Sequence, residues 1–214
     1  MTRGYALVLT LLVLAAAWIA GWYSTTRVVY FAPALLEQPS GCEWGDGEEP
    51  VISDFERDWF GGELRAFEEP SLYLTSENPP SGHQRTVRLT LIRSFHDPVV
   101  VRIEQRGDGS AILTAKQRPG GQGFGRPLAS RRIERPLTAS ETAELESVLA
   151  STQVLDQDGK DCFAGVDGAN WIVEAAEVGG RYIYVQRWTP RKGAVRKFGE
   201  FMLSLTGWNL DPVY

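Results

Sequence analysis

The stretch DGANWIVEAAEVGGRYIYVQRWTPRKGAVRKFGEFMLSLTG, Asp167 to Gly207, decides the fold. It opens on Asp167-Gly168, a turn pair. Asn170 to Ala176 runs extended, Val178-Gly179-Gly180 turns the chain, and Arg181 to Trp188 returns rich in Tyr, Ile and Val. Thr189-Pro190 stops that strand, and the apolar period changes from two to about 3.6. Val195, Phe198, Met202 and Leu205 then share one helical face, with Phe201 at its margin. A hairpin and helix this apolar need a surface to pack on.

The segment from Arg85 to Lys116 offers that surface. Val87, Leu89 and Leu91 alternate with Arg88 and Thr90, the period of a half-buried strand. His96-Asp97-Pro98 turns the chain, and Val99, Val101 and Ile103 alternate again. Gly107-Asp108-Gly109 makes the next turn, Ala111 to Lys116 a third strand and Ser130 to Arg135 a fourth. Leu137 to Ser151 reads as a helix, begun by a Thr138–Glu141 capping box and apolar at Leu145, Val148 and Leu149. The expectation is an α+β fold over 71–214. Its antiparallel sheet consists of the meander and the C-terminal hairpin, with two helices on one face and an N-terminal transmembrane helix ahead of it. Trp171 with Val173 faces one side of the sheet as core. Ile172 with Glu174 faces the other, with Arg187 as the expected cross-strand partner of Glu174.

The first 23 residues set the compartment. After Arg3, Tyr5 to Tyr23 carries no charge, and Trp18, Trp22 and Tyr23 gather at its far end. That length approaches the roughly 20 residues of a membrane-spanning helix, and the aromatics match an interfacial belt. The rival is a cleaved signal with Leu7 to Leu14 as its core and Ala15-Ala16-Ala17 as its cleavage site. Either reading puts the rest of the chain outside the cytoplasm, in the periplasm of a bacterium and held at the inner membrane if Tyr5–Tyr23 stays. Residues 24–70 read as a tether and an acidic segment. Within it Ile52, Phe55, Trp59 and Phe60 have helical spacing, which Gly61-Gly62 is expected to break, and these four are expected to pack on the domain.

Charge is unevenly spread along the 214 residues, whose formal net is −5. Ten acids between Gly41 and Pro70 meet only Arg57 and Arg65, a balance of −8. From Ser71 to Pro136 eleven Arg and Lys meet five acids, a balance of +6. The acidic segment is therefore expected to lie across the basic sheet. No nucleic-acid signature accompanies the basic stretch, so nucleic acid is not an expected partner. The two cysteines, Cys42 and Cys162, have no zinc or C-x-x-C spacing. In an oxidising compartment they pair naturally, with two free thiols as the alternative.

Chemistry-bearing motifs are few. Asp156, Asp158, Asp161 and Asp167 supply oxygens but miss the EF-hand pattern, because Gly159 is out of place and no closing Glu follows. His83 and His96 are the only histidines, and no G-x-S-x-G elbow exists. The glycines of 119–127 lack the dinucleotide fingerprint and read as a loop. No cofactor or metal is expected. Arg187, Arg191, Lys192, Arg196 and Lys197 cluster at the start of the last helix. They form either a solvated face or a patch for anionic lipid, polysaccharide or an acidic partner.

Asp167, Gly168, Trp171 and Glu174 spell D-G-x-x-W-x-x-E. This string resembles a pattern in uncharacterised bacterial envelope proteins, a resemblance that covers about 40 residues and implies no activity. The functional expectation is a membrane-tethered periplasmic domain that binds a protein or another envelope component without catalysis. The alternatives are a hydrolase using carboxylates of Asp156–Asp167 with Glu174, or a polysaccharide-binding module presenting Tyr182, Tyr184 and Trp188.

Overall fold

Alternating apolar residues become strands where each second side chain finds a dry surface, and this chain provides such a surface on both faces of one sheet. The computed structural model describes residues 28–44, 47–119, 130–157, 159–163, 165, 167–211 and 213–214. In chain order the regular elements are β1 (Pro39–Trp44), β2 (Gly47–Pro50), α1 (Asp54–Ala66), α2 (Leu72–Glu77), β3 (His83–Arg93) and β4 (Val99–Arg106). They continue with β5 (Ala111–Gln117), β6 (Arg131–Pro136), α3 (Ala139–Thr152), β7 (Ala169–Glu177), β8 (Arg181–Trp188) and α4 (Ala194–Ser204). Six strands form one antiparallel sheet in the order β6-β5-β4-β3-β7-β8. The hairpin β7–β8 thus adds to the meander through β3, which pairs with both β4 and β7. The α+β, antiparallel reading holds. The expected membrane helix Tyr5–Tyr23 and the glycine loop at 120–127 lie outside the described residues. No helix among the described residues is long and apolar enough to cross a membrane.

One face carries the larger core. Val87, Leu89, Val101, Ile103, Leu113, Trp171 and Val173 are fully enclosed there beneath Leu145 of α3 and Val195, Phe198 and Met202 of α4. The Thr138–Glu141 capping box is present at the start of α3. Trp171 sits where α4 crosses β7. Its indole N–H donates to the Tyr214 backbone oxygen at 2.9 Å, and the Arg196 guanidinium lies 4.9 Å above its ring. Gly199 permits this crossing, since a Cβ there would fall 2.3 Å from the Trp171 ring.

The second face is covered by residues 30–72, and here one expectation changes and one element is added. Helix α1 runs straight through Gly61-Gly62. Two glycines cost a helix about 1 kcal/mol each. Burying Phe60 and Leu64 contributes about 1.5–3 kcal/mol apiece, and the Ser53–Glu56 capping box supports the first turn. Packing outweighs propensity. Residues 72–77 form a further helix, α2, begun by Ser71, whose hydroxyl accepts from the Leu74 N–H and donates to Val29 O at 2.6 Å. Tyr30, Phe31, Ile52, Phe60, Leu64 and Phe67 pack with Ile92, Val100, Ile172 and Tyr184 of the sheet.

Charge finds its partner on the same face. Register places Arg88 directly beside Arg102 on one neighbouring strand and Glu174 on the other. Like charges opposed across a sheet repel. Glu69, fully enclosed, answers both arginines and more: 2.7 Å to Arg102 Nε, 3.9 Å to Arg88 Nη1 and 2.7 Å to Lys116 Nζ. Glu174 completes the row with Arg88 Nη2 at 2.7 Å and the Tyr182 hydroxyl at 2.8 Å. The opposed balances of the two segments are thus resolved partly in the interior. Glu63 adds a bond to Arg118 at 3.0 Å nearer the surface.

Candidate functional site

Helix α1 divides its aromatics between two environments. Ile52 and Phe60 are buried against the sheet as expected, but Phe55 and Trp59 are not. Residues 55 and 59 lie one turn apart on the outer side of the helix, while 60 and 64 face inward. The two outer rings touch, with centroids 5.6 Å apart. Phe55 is 71% exposed, Trp59 39%, Phe163 65% and Phe95 51%. These are the large apolar side chains around two cavities that flank α1.

The smaller cavity, about 280 Å³, lies between α1, residues 160–163 with Gly165, and the end of the β7–β8 hairpin. Its floor is polar and well tied. Gln186 Nε2 donates to Asn170 Oδ1 at 2.9 Å and to Glu56 Oε1 at 3.0 Å, which joins the start of α1 to the hairpin. The Lys160 ammonium stands 3.2 Å from Glu56 and 3.3 Å from Glu49. Burial pushes the Glu56 carboxyl up, but bonds from Ser53 and Gln186 together with Lys160 outweigh it, so its pKa is lowered. Asp161 shows the opposite outcome: burial raises it despite Arg187 nearby.

Phe163 is placed by three local constraints. Gln186 N–H donates to Gly159 O at 2.6 Å, and Lys160 bridges to Gln186 in parallel. Cys162 is bonded to Cys42 with the Cα atoms 5.1 Å apart, so the disulfide read from the sequence is present. Beyond it the backbone presses onto Trp188: a Cβ on Gly165 would lie 2.5 Å from the indole nitrogen. The loop therefore closes over Trp188 and leaves the Phe163 ring outward.

The larger cavity, about 650 Å³, lies on the other side of Phe55 and Trp59, bounded by Ile92 and Arg93 at the end of β3, by Phe95 and Pro98 of the β3–β4 turn and by Asp167. The Arg93 guanidinium turns to the Asp97 backbone oxygen at 2.6 Å. Together the two cavities form one aromatic-rimmed surface along α1. Phe163 and Phe95 escaped the sequence reading. The signal available was an aromatic residue inside an otherwise polar turn.

The cationic patch does not act as one unit. Arg191, Lys192 and Lys197 are exposed. Arg196 is engaged with Glu200 at 2.6 Å, with Val213 O at 3.3 Å and with the Trp171 ring. Arg187 donates to Gln186 O at 2.7 Å and lies opposite Trp171 in register, so it does not pair with Glu174. The partner of Glu174 is Arg88, on the neighbouring strand β3 rather than β8.

Apart from the exposed Asp167, the other described carboxylates of the candidate hydrolase set and the two histidines have structural partners. Glu174 is enclosed, and Asp156 meets Arg181 at 3.1 Å. Asp158 lies outside the described residues. Among the described residues no three His, Cys, Asp or Glu side chains are grouped to hold a metal. His96 Nδ1 is 2.9 Å from the Tyr214 hydroxyl, and His83 Nε2 is 3.1 Å from Thr86 Oγ1. Burial lowers the His83 pKa. Tyr184 is buried and Tyr182 half-buried beneath the N-terminal segment, with burial raising both hydroxyls well above the ordinary tyrosine value. That removes these two as an open stacking platform. No protein-family model matches this chain, and no curated protein matches it.

Proposed function

We propose that this chain is a membrane-tethered domain outside the cytoplasm that binds another protein or envelope component along α1, without catalysis. The observation that carries the binding reading is the set of exposed Phe55, Trp59, Phe95 and Phe163 rings around two adjoining cavities. Aromatic side chains near the centre of a surface patch supply most of the energy of many interfaces, and apolar clusters of this kind mark interaction sites. The tether reading rests on the uncharged Tyr5–Tyr23 segment, and the disulfide agrees with an oxidising compartment. A polysaccharide ligand is the second reading. It draws on the Asn170 and Gln186 amides beside Trp188, in place of the covered hairpin tyrosines.

Two experiments test the proposal. A reporter that matures only in an oxidising compartment, fused after Tyr214, should be active; activity of cytoplasmic reporters alone would overturn the location. In-cell crosslinking and pull-down of the full chain should give products that W59A and F163A lose and R132A keeps. Equal products from all three variants would overturn the α1 surface as the binding site.

A further inference from the structure

The two cavities differ from an ordinary apolar groove in their charge. Glu49, Glu56 and Asp161 border the smaller one and Asp58, Glu63 and Asp167 the larger, against a single cation in each, Lys160 and Arg93. Both cations are committed inward, Lys160 to Glu49 and Glu56 and Arg93 to the Asp97 backbone. Arg57, Arg118 and Arg187 answer Asp58, Glu63 and Asp161, which leaves Asp167 as the carboxylate with no cation set against it among the described residues. Asp167 is exposed and makes no ion pair among the described residues, and it borders the same cavity as Phe55, Trp59 and Phe95.

A carboxylate beside open aromatic faces is the pairing that a cationic side chain seeks. The aliphatic stem lies on the rings, the ring quadrupole attracts the charge, and the carboxylate completes it. An anionic headgroup or an acidic polymer would meet the Asp167 carboxylate there and find Lys160 and Arg93 already engaged.

Resting on the docking role proposed above, we infer that the occupant of this surface is a protein segment bearing Lys or Arg beside apolar side chains, with one cation held between Asp167 and the Trp59–Phe95 rim. Its apolar side chains fill the smaller cavity against Phe163 and Trp188. Three of the four exposed rings are phenylalanines without a polar handle, which suits apolar side chains better than hydroxyl-rich sugar.

The test uses the full chain in phosphatidylcholine nanodiscs, with empty discs as control, and fluorescein-labelled 14-residue peptides followed by anisotropy. The peptides share one Leu/Phe pattern and carry Lys/Arg, Ser or Glu at the polar positions. The cationic peptide should bind at least tenfold more tightly than the Glu peptide, and its affinity should fall severalfold between 50 and 300 mM salt. D167N should weaken the cationic peptide about three- to tenfold and leave the Ser peptide unchanged, while W59A should weaken both. Equal binding of the Ser and Lys/Arg peptides would remove the cationic partner but keep the docking surface. Binding of a neutral chito-oligosaccharide with no peptide binding would replace the protein partner by a glycan. No binding of any peptide would overturn the inference by itself, since the crosslinking loss in W59A judges docking separately.

Discussion

Arg88 and Glu174 are both fully enclosed, a situation neither charge could sustain alone. Burial lowers the affinity of Arg88 for its proton, but Glu174 and Glu69 overcome this and its pKa is raised. Removing one partner of such a pair costs about 3–5 kcal/mol, whereas replacing both by apolar groups is far milder. R88M should therefore lower the unfolding free energy by about that amount in urea titration, and R88M/E174L should recover much of it. Equal losses in the two variants would contradict this. Glu141 makes a pH prediction. Bonds from Arg135 and from Thr138 hold its carboxyl down to about 2, below the ordinary 4.5. A lowered folded-state pKa adds stability that is complete above the unfolded value and lost as pH falls toward the folded one. Acid unfolding curves of the wild type should thus show a loss between pH 4.5 and about 2 that E141Q lacks. At neutral pH, T138A should cost about 1 kcal/mol through the lost cap.

At the scale of elements, periodicity was sufficient for the six strands of the main sheet and for α3 and α4, but not for β1 and β2, which fall in the stretch that reads as a tether. Val87-Leu89-Leu91 and Val99-Val101-Ile103 each feed one face of the sheet, and the last helix buries the side predicted. Where reading failed, tertiary packing decided. Gly61-Gly62 looks like an end because local propensity says so, yet the helix is held by Phe60 and Leu64 against the sheet. The Glu174–Arg187 expectation failed because register is not visible in a single sequence: Arg88 lies opposite Glu174 only once β3 and β7 are known to pair. Element docking also predicts a sharp effect at Gly199. Trp171 is enclosed on all sides, so the ring cannot move aside for a Cβ placed 2.3 Å away. G199A should destabilise by about 1–3 kcal/mol through overpacking, although alanine is the better helix former. A stability gain in thermal unfolding would mean α4 is docked more loosely than described.

At the scale of the whole molecule, the chain is a sheet with a different cover on each face. The second cover is tied by Glu69, by its apolar side chains and by a disulfide closing a sequence separation of 120 residues. In the chain-entropy model a loop of that length contributes up to ~5 kcal/mol. Reduction is expected to free β1–β2 and the loop around Phe163 while α1 stays docked. Limited proteolysis of reduced protein should then cut near Pro39–Pro50 and Cys162–Phe163 before it cuts the sheet. Of the candidate site, the sequence made the Phe55–Trp59 pair visible but not its exposure, because helical spacing alone cannot tell an inner stripe from an outer one when aromatics occupy both. Phe95 and Phe163 reach the same surface only through folding. By the proposal above, the surface along α1 is where the protein meets its partner. The most direct measurement places a photo-crosslinking amino acid, one position at a time, at Phe55, Phe163, Arg132 and Val178 of the full chain in living cells. Discrete products from 55 and 163, with none from 132 or 178, are the result expected. Products from 132 or 178 with none from 55 and 163 would contradict it.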